Sequence, residues 1–76
     1  MKDKEWKELC EWISKNYKAI VSNYHFRVFH MIDEETYYVV YKNGTIITRY
    51  AETVCREEKP EQIKAIITNL LQEVKI

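Results

Sequence analysis

The stretch ETYYVVYKNGTIITRY, residues 35–50, constrains the fold more than any other part of the chain. Two runs of β-branched and aromatic residues flank the Asn43-Gly44 pair, which is typical of a β-hairpin with a two-residue type I′ turn. Such a turn fixes the cross-strand register. The predicted pairs are Lys42 with Thr45, Tyr41 with Ile46, Val39 with Thr48, Tyr37 with Tyr50, Val40 with Ile47 and Tyr38 with Arg49.

Amphipathic patterns predict a helix on either side of this region. From Asp3, a candidate N-cap, to Val21 apolar residues recur at steps of three and four, and Trp12 either flanks that stripe or is exposed. The second pattern starts at Pro60, which suits a first helical turn. Its stripe contains Ile63, Ile66, Ile67, Leu70, Leu71 and Val74.

The predicted fold is therefore α+β, with residues 1–76 as a single domain in the order α-β-β-β-α. The predicted strands are 24–32, 37–42 and 45–54. They would form a three-stranded antiparallel meander with both helices packed on one face, giving two layers.

Alternation along the strands decides which sheet face the helices would cover. One face would carry Tyr37, Val39, Tyr41, Ile46, Tyr50 and Val54. The other carries Lys42 and Arg49, whose burial without partners would be costly, so the first face is assigned to the core. A four-residue loop at 33–36 adds Tyr24, Phe26 and Val28 to it, with His30 as a hydrogen-bonded core residue. A three-residue loop would invert that first strand.

The opposite face is predicted to be uncovered and to carry cations, aromatic and aliphatic side chains but no acid. Its predicted partner-binding residues are Arg27, Phe29, Met31, Tyr38, Val40, Lys42, Ile47 and Arg49, and His25 shares their face. Two interpretations stay open. The face either binds a partner or is merely amphiphilic, covered at its edges by long side chains.

The sequence contains no catalytic motif, phosphate-binding loop or zinc-ligand pattern. His25 and His30 would point to opposite faces of a strand and could not share a metal. Cys10 and Cys55 are too few for a disulfide scaffold and would lie on different sides of the sheet, so they are expected to be reduced. We therefore expect no enzyme activity, no cofactor and no metal.

Charge and hydropathy exclude further classes of protein. With 12 Lys and Arg against 12 Asp and Glu, the chain is neither a strongly basic duplex binder nor an acidic nucleic-acid mimic. The first residues lack the apolar core of a signal peptide, and no run of about 18 apolar residues occurs. The sequence predicts a cytoplasmic protein that does not bind a membrane.

The α-β-β-β-α order is similar to that of the double-stranded-RNA-binding domain. That family carries a glycine and a lysine cluster at the start of its last helix, where phosphates bind. The equivalent segment here, residues 57–61, reads EEKPE and is acidic. The resemblance therefore concerns element order alone and does not extend to the RNA-binding residues.

Two functions from different classes are compatible with these patterns. The first is a small regulator or inhibitor, of the kind common among phage and mobile-element accessory proteins, that binds a protein through the uncovered face. Its partner would be a foreign protein or a second copy of the chain. The alternative is a single-stranded nucleic-acid binder that stacks bases on Phe29 and Tyr38 and meets phosphates with Arg27, Lys42 and Arg49.

Overall fold

The computed structural model describes residues 1–72, which form two helices and one five-stranded antiparallel sheet. In chain order the elements are α1 (Asp3–Asn16), β1 (Ala19–Val21), β2 (His25–Phe29), β3 (Tyr37–Tyr41), β4 (Thr45–Thr48), β5 (Thr53–Arg56) and α2 (Pro60–Leu70). Each strand pairs with the next, so the sheet order is β1-β2-β3-β4-β5. The predicted α+β class is confirmed, but the predicted three-stranded meander is too narrow.

The hydrophobic core lies between both helices and one face of the sheet, here called the covered face. Its buried residues are Trp6, Leu9 and Ile13 of α1, Ile63 and Ile67 of α2, Leu71, and Phe26, Val28, Val40 and Ile46 of the sheet. Trp6 stacks on Phe26 with ring centroids 5.4 Å apart. Val74, the last residue of the predicted α2 stripe, lies outside the described residues.

The first helix is shorter than its apolar stripe predicts. Lys2, rather than Asp3, is its N-cap, and the Lys2 backbone N–H donates to Glu5 Oε1 at 3.1 Å. The helix ends where Tyr17 adopts an extended conformation. Ile20 and Val21, which are β-branched and favour strands, then pair with β2 as the edge strand β1.

The β3–β4 hairpin forms, but the predicted register is wrong by one residue. Val40 pairs with Ile46 and Val39 with Ile47, so residues 42–44 form a three-residue loop. The Gly44 N–H donates to the Tyr41 carbonyl at 2.8 Å. Gly44 has a φ of 92° and, within residues 1–72, the one non-glycine residue with positive φ is Ala51. A type I turn followed by a glycine bulge needs positive φ once, whereas a type I′ turn would impose it on Asn43 as well.

The connection between β2 and β3 is also longer than predicted. Phe29 pairs with Tyr37, so the loop spans residues 30–36 rather than 33–36. Asp33 organises it by accepting hydrogen bonds from the Glu35 N–H at 2.9 Å and the Thr36 hydroxyl at 3.0 Å, and both bonds lower the pKa of the Asp33 carboxyl. His30 is half-buried in this loop rather than in the core.

The predicted third strand is broken into β4 and β5 by a turn at residues 49–52. The Ala51 N–H donates to the Thr48 carbonyl at 3.0 Å, and the Tyr50 N–H donates to the Thr48 hydroxyl at 3.2 Å. Tyr50, which was predicted to be a core residue, is therefore 71% exposed. A register shift opposite Ile46 and Ile47 leaves Cys55 packed against the core, whereas the prediction placed it on the other face.

None of the helices within residues 1–72 has the length and apolar character needed to cross a membrane.

Candidate interaction surface on the open sheet face

The sheet face turned away from both helices, here called the open face, is the candidate functional surface. The strand register assigns to it Ile20, His25, Arg27, Phe29, Tyr37, Val39, Tyr41, Thr45, Ile47, Thr53 and Arg56. Partners directly opposite in an antiparallel pair lie on the same face. A continuous row therefore runs across the sheet from Ile20 through Arg27, Val39 and Ile47 to Thr53.

Aromatic side chains flank this central row on both sides. Phe29 and Tyr37 have ring centroids 5.7 Å apart and tilted by 52°, while His25 and Tyr41 lie 5.8 Å apart and tilted by 43°. Val39 is only 9% exposed, although no helix covers it, because the neighbouring side chains of its own sheet shield it. Ile20 and Tyr41 are 62% and 39% exposed.

The strands of the open face carry positive but no negative side chains. None of the five strands, AIV, HFRVF, YYVVY, TIIT and TVCR, contains an aspartate or a glutamate. The face instead carries Arg27 and Arg56. Ion pairs within residues 1–72 are formed by Lys18 with Glu34, Lys42 with Asp3 and Lys64 with Glu61. Both open-face arginines therefore lack a carboxylate partner in the described part of the chain.

The structure brings together only part of the predicted partner-binding set. Arg27, Phe29 and Ile47 lie on the open face. Tyr38 and Val40 lie on the covered face instead, because the strand β3 is inverted relative to the prediction.

The other three predicted residues belong to loops. Lys42 lies in the hairpin loop and forms an ion pair with Asp3 of α1. Met31 is exposed in the β2–β3 loop. Arg49 lies in the β4–β5 turn, where its guanidinium donates to the Glu35 carbonyl and its Cζ is 4.9 Å from the centroid of the Tyr50 ring.

Sequence reasoning missed five residues of the open face: Ile20, Tyr37, Val39, Tyr41 and Arg56. Ile20 was assigned to a helix, and Arg56 lies beyond the predicted strand 45–54. Tyr37, Val39 and Tyr41 were assigned to the core. Their strand, YYVVY, is apolar or aromatic at odd and even positions alike, so alternation does not distinguish its two faces. Gly44 was the signal that could have indicated the correct register. A single glycine satisfies a three-residue hairpin loop, which needs positive φ at only one position.

A groove of about 610 Å³ lies between α1 and the β1–β2 turn, but its chemistry does not indicate a catalytic site. Trp6, Cys10 and Val21 contribute to its lining, and the Trp6 indole donates to the Ser22 carbonyl at 3.1 Å. Its lining residues include one thiol and no histidine that could serve as a base. Among residues 1–72, no three His, Cys, Asp or Glu side chains are grouped so that they could hold a metal ion.

We expect both cysteines to be poor nucleophiles. Cys10 and Cys55 are free thiols; burial raises the pKa of Cys10, and burial together with the charge of Glu57 raises that of Cys55. Because the thiolate is the reactive form, alkylation by iodoacetamide at neutral pH should be slower in the native protein than in the denatured chain, as measured by mass spectrometry. Equal rates in both states would contradict this expectation. So would a native protein whose mass is lower by two hydrogens, because that would indicate a disulfide between the two cysteines.

Within residues 1–72, the fold and this surface define a small α+β domain with a sheet face that neither helix covers and whose strands carry no acidic residue. Comparison of the chain with protein-family models, with curated proteins and with solved structures finds no match.

Proposed function

We propose that the protein is a non-enzymatic interaction module, a small cytoplasmic regulator or inhibitor, that binds a partner protein through the open face. The observation that carries the proposal is a group of aliphatic and aromatic side chains, gathered around Arg27 on the side of the sheet that neither helix covers. Contiguous apolar surface of this kind is a common feature of binding sites.

Exposed apolar area supplies the driving force for association. Ile20 on the edge strand β1 and Tyr41 at the end of the middle strand β3 remain in contact with water, and burying apolar surface contributes about 25 cal/mol per Å². The half-buried Phe29, Tyr37 and Ile47 are held by their neighbours, so little side-chain entropy would be lost when a partner covers them.

The nucleic-acid alternative has weaker support. Of the five residues predicted to carry it, Tyr38 faces the helices, Lys42 is paired with Asp3 and Arg49 lies in the β4–β5 turn. Arg27 and Phe29 remain on the open face. Two side chains give little basis for both base stacking and phosphate binding.

A capture experiment with paired variants tests the proposal. The double variant Ile20→Ser/Tyr41→Ser removes exposed apolar groups from the open face. The control Tyr24→Ser/Tyr50→Ser removes two exposed tyrosines from the β1–β2 and β4–β5 turns. We expect a protein captured from native lysate to be retained by the wild type and the control but lost, by at least about tenfold, from the open-face variant.

The lysate is treated with nuclease in one arm, and bound proteins are quantified by mass spectrometry. All three chains should have native circular dichroism spectra. Capture that is equal for both double variants would refute the open face as the binding surface. Capture that disappears with nuclease would favour the nucleic-acid alternative.

A further inference from the structure

We propose that the partner bound by the open face is an acidic segment of a foreign protein, whose carboxylate is bound by Arg27 and whose apolar side chains pack on the neighbouring aliphatic residues. This inference rests on the function proposed above and specifies the chemistry of the partner.

Arg27 lies in the middle of β2, the second of the five strands, on the open face. It pairs with Ile20 on one side and with Val39 on the other, and its Cζ lies 4.6 Å from the centroid of the Tyr37 ring. The attraction between cation and ring holds the guanidinium over the sheet. A guanidinium held in this way presents its fork of N–H donors to a carboxylate at a small entropic cost.

The described strands supply no counter-charge for this arginine. The five strands contain no acidic residue, and Arg27 forms no ion pair within residues 1–72. Arg56 lies on the same face three strands away, a separation of about 14 Å across the strands at the usual spacing. A partner carrying carboxylates between apolar side chains would therefore complement both the charge and the hydrophobicity of the surface.

The same charge distribution argues against a second copy of the chain. A two-fold dimer through this face would place the surface against itself. Each Arg27 would then meet apolar, hydroxyl or cationic groups of the partner strands and no strand carboxylate. Burying an arginine without a counter-charge is unfavourable, so a foreign acidic partner fits better.

The arrangement of the rings favours a polypeptide over a nucleic acid. The face of Tyr37 is occupied by Arg27, and Lys18 Nζ lies 5.9 Å from the centroid of Phe29. The tilts of 52° between Phe29 and Tyr37 and 43° between His25 and Tyr41 leave these pairs without parallel rings. A base-stacking platform needs free and accessible ring faces.

Selection from a random peptide library on the immobilised protein, residues 1–76, tests the inference. We expect selected peptides to be enriched in Asp and Glu next to aliphatic or aromatic residues. The most enriched peptide is then synthesised, and its Kd is measured by calorimetry. Loss of a charge-assisted hydrogen bond in Arg27→Gln should weaken binding about tenfold, and Arg27→Lys should retain part of the affinity.

The matched control is Arg49→Gln, which removes the same charge from the β4–β5 turn and should change Kd by less than about twofold. Selection of apolar peptides without acidic residues, bound equally by Arg27→Gln, would refute the acidic partner but leave the interaction face intact. Peptides bound equally by the Ile20→Ser/Tyr41→Ser variant would refute the proposed function itself. A face-dependent dimer in sedimentation, or tighter binding of oligothymidine than of the acidic peptide, would also overturn the inference.

Discussion

The substitution Gly44→Ala should destabilise the protein by about 3 kcal/mol or more, since a strained backbone conformation alone costs about 1–3 kcal/mol. Gly44 has a φ of 92°, and an added Cβ would lie 1.8 Å from the carbonyl oxygen of Glu57. That segment cannot simply move away, because the Glu57 N–H donates to the Gly44 carbonyl at 2.9 Å. The midpoint of urea denaturation, followed by circular dichroism, measures the effect.

Asn43→Ala is the control for the same loop. It removes the hydrogen bond from the Thr45 N–H to Asn43 Oδ1, which is 3.0 Å long and exposed, so a loss of about 1 kcal/mol is expected. Denaturation midpoints that are the same for wild type and Gly44→Ala would show that the loop does not have the conformation described here.

The substitution Phe26→Ala should have a similarly large effect, with a loss of about 3–5 kcal/mol. Phe26 is fully buried and stacks on Trp6 of α1, so its truncation leaves a cavity where the sheet meets the helix. Because a domain of this size has a total stability of only about 5–15 kcal/mol, the variant should be close to unfolding at room temperature.

Phe29→Ala makes the same chemical change on the same strand but on the open face. Phe29 is half-buried and contacts Tyr37 rather than the core, so we expect a loss of about 1 kcal/mol. Chemical denaturation of both variants measures the two losses in the free energy of unfolding. Equal losses would show that the two faces of β2 are wrongly assigned.

The sequence predicted the helices and hairpin because their signals are local. Apolar residues at helical spacing marked α1 and α2, and the Asn43-Gly44 pair marked the turn between β3 and β4. The end of α1 was missed because residues up to Val21 continue the helical stripe, while their pairing with β2 depends on tertiary contacts. The β4–β5 turn was missed because it contains neither glycine nor proline, and Ala51 adopts positive φ there.

The faces of the sheet show how register errors spread. The β2–β3 pairing was wrong by three residues and the β3–β4 pairing by one. An error of an odd number of residues places a strand with the wrong side toward the core relative to its neighbour. Because two such errors occur in succession, the second restores the correct side for β4. Phe26 and Ile46 were therefore assigned correctly to the core, while the intervening strand was inverted. Arg27, Phe29 and Ile47 were assigned correctly to the open face. On β3, Tyr38 and Val40 were predicted there, whereas the structure places Tyr37, Val39 and Tyr41 on that face.

The order of the strands in the sheet has a consequence for folding kinetics. Because β1 to β5 are arranged in the order of the chain, every strand pairs with its sequence neighbour, and each pairing closes only a short loop. Short loops lose little entropy on closure, and chains dominated by local contacts fold faster than those that must join distant segments. The hairpins can therefore form early. The step that joins distant parts of the chain is the packing of α1 beside α2 over the completed sheet.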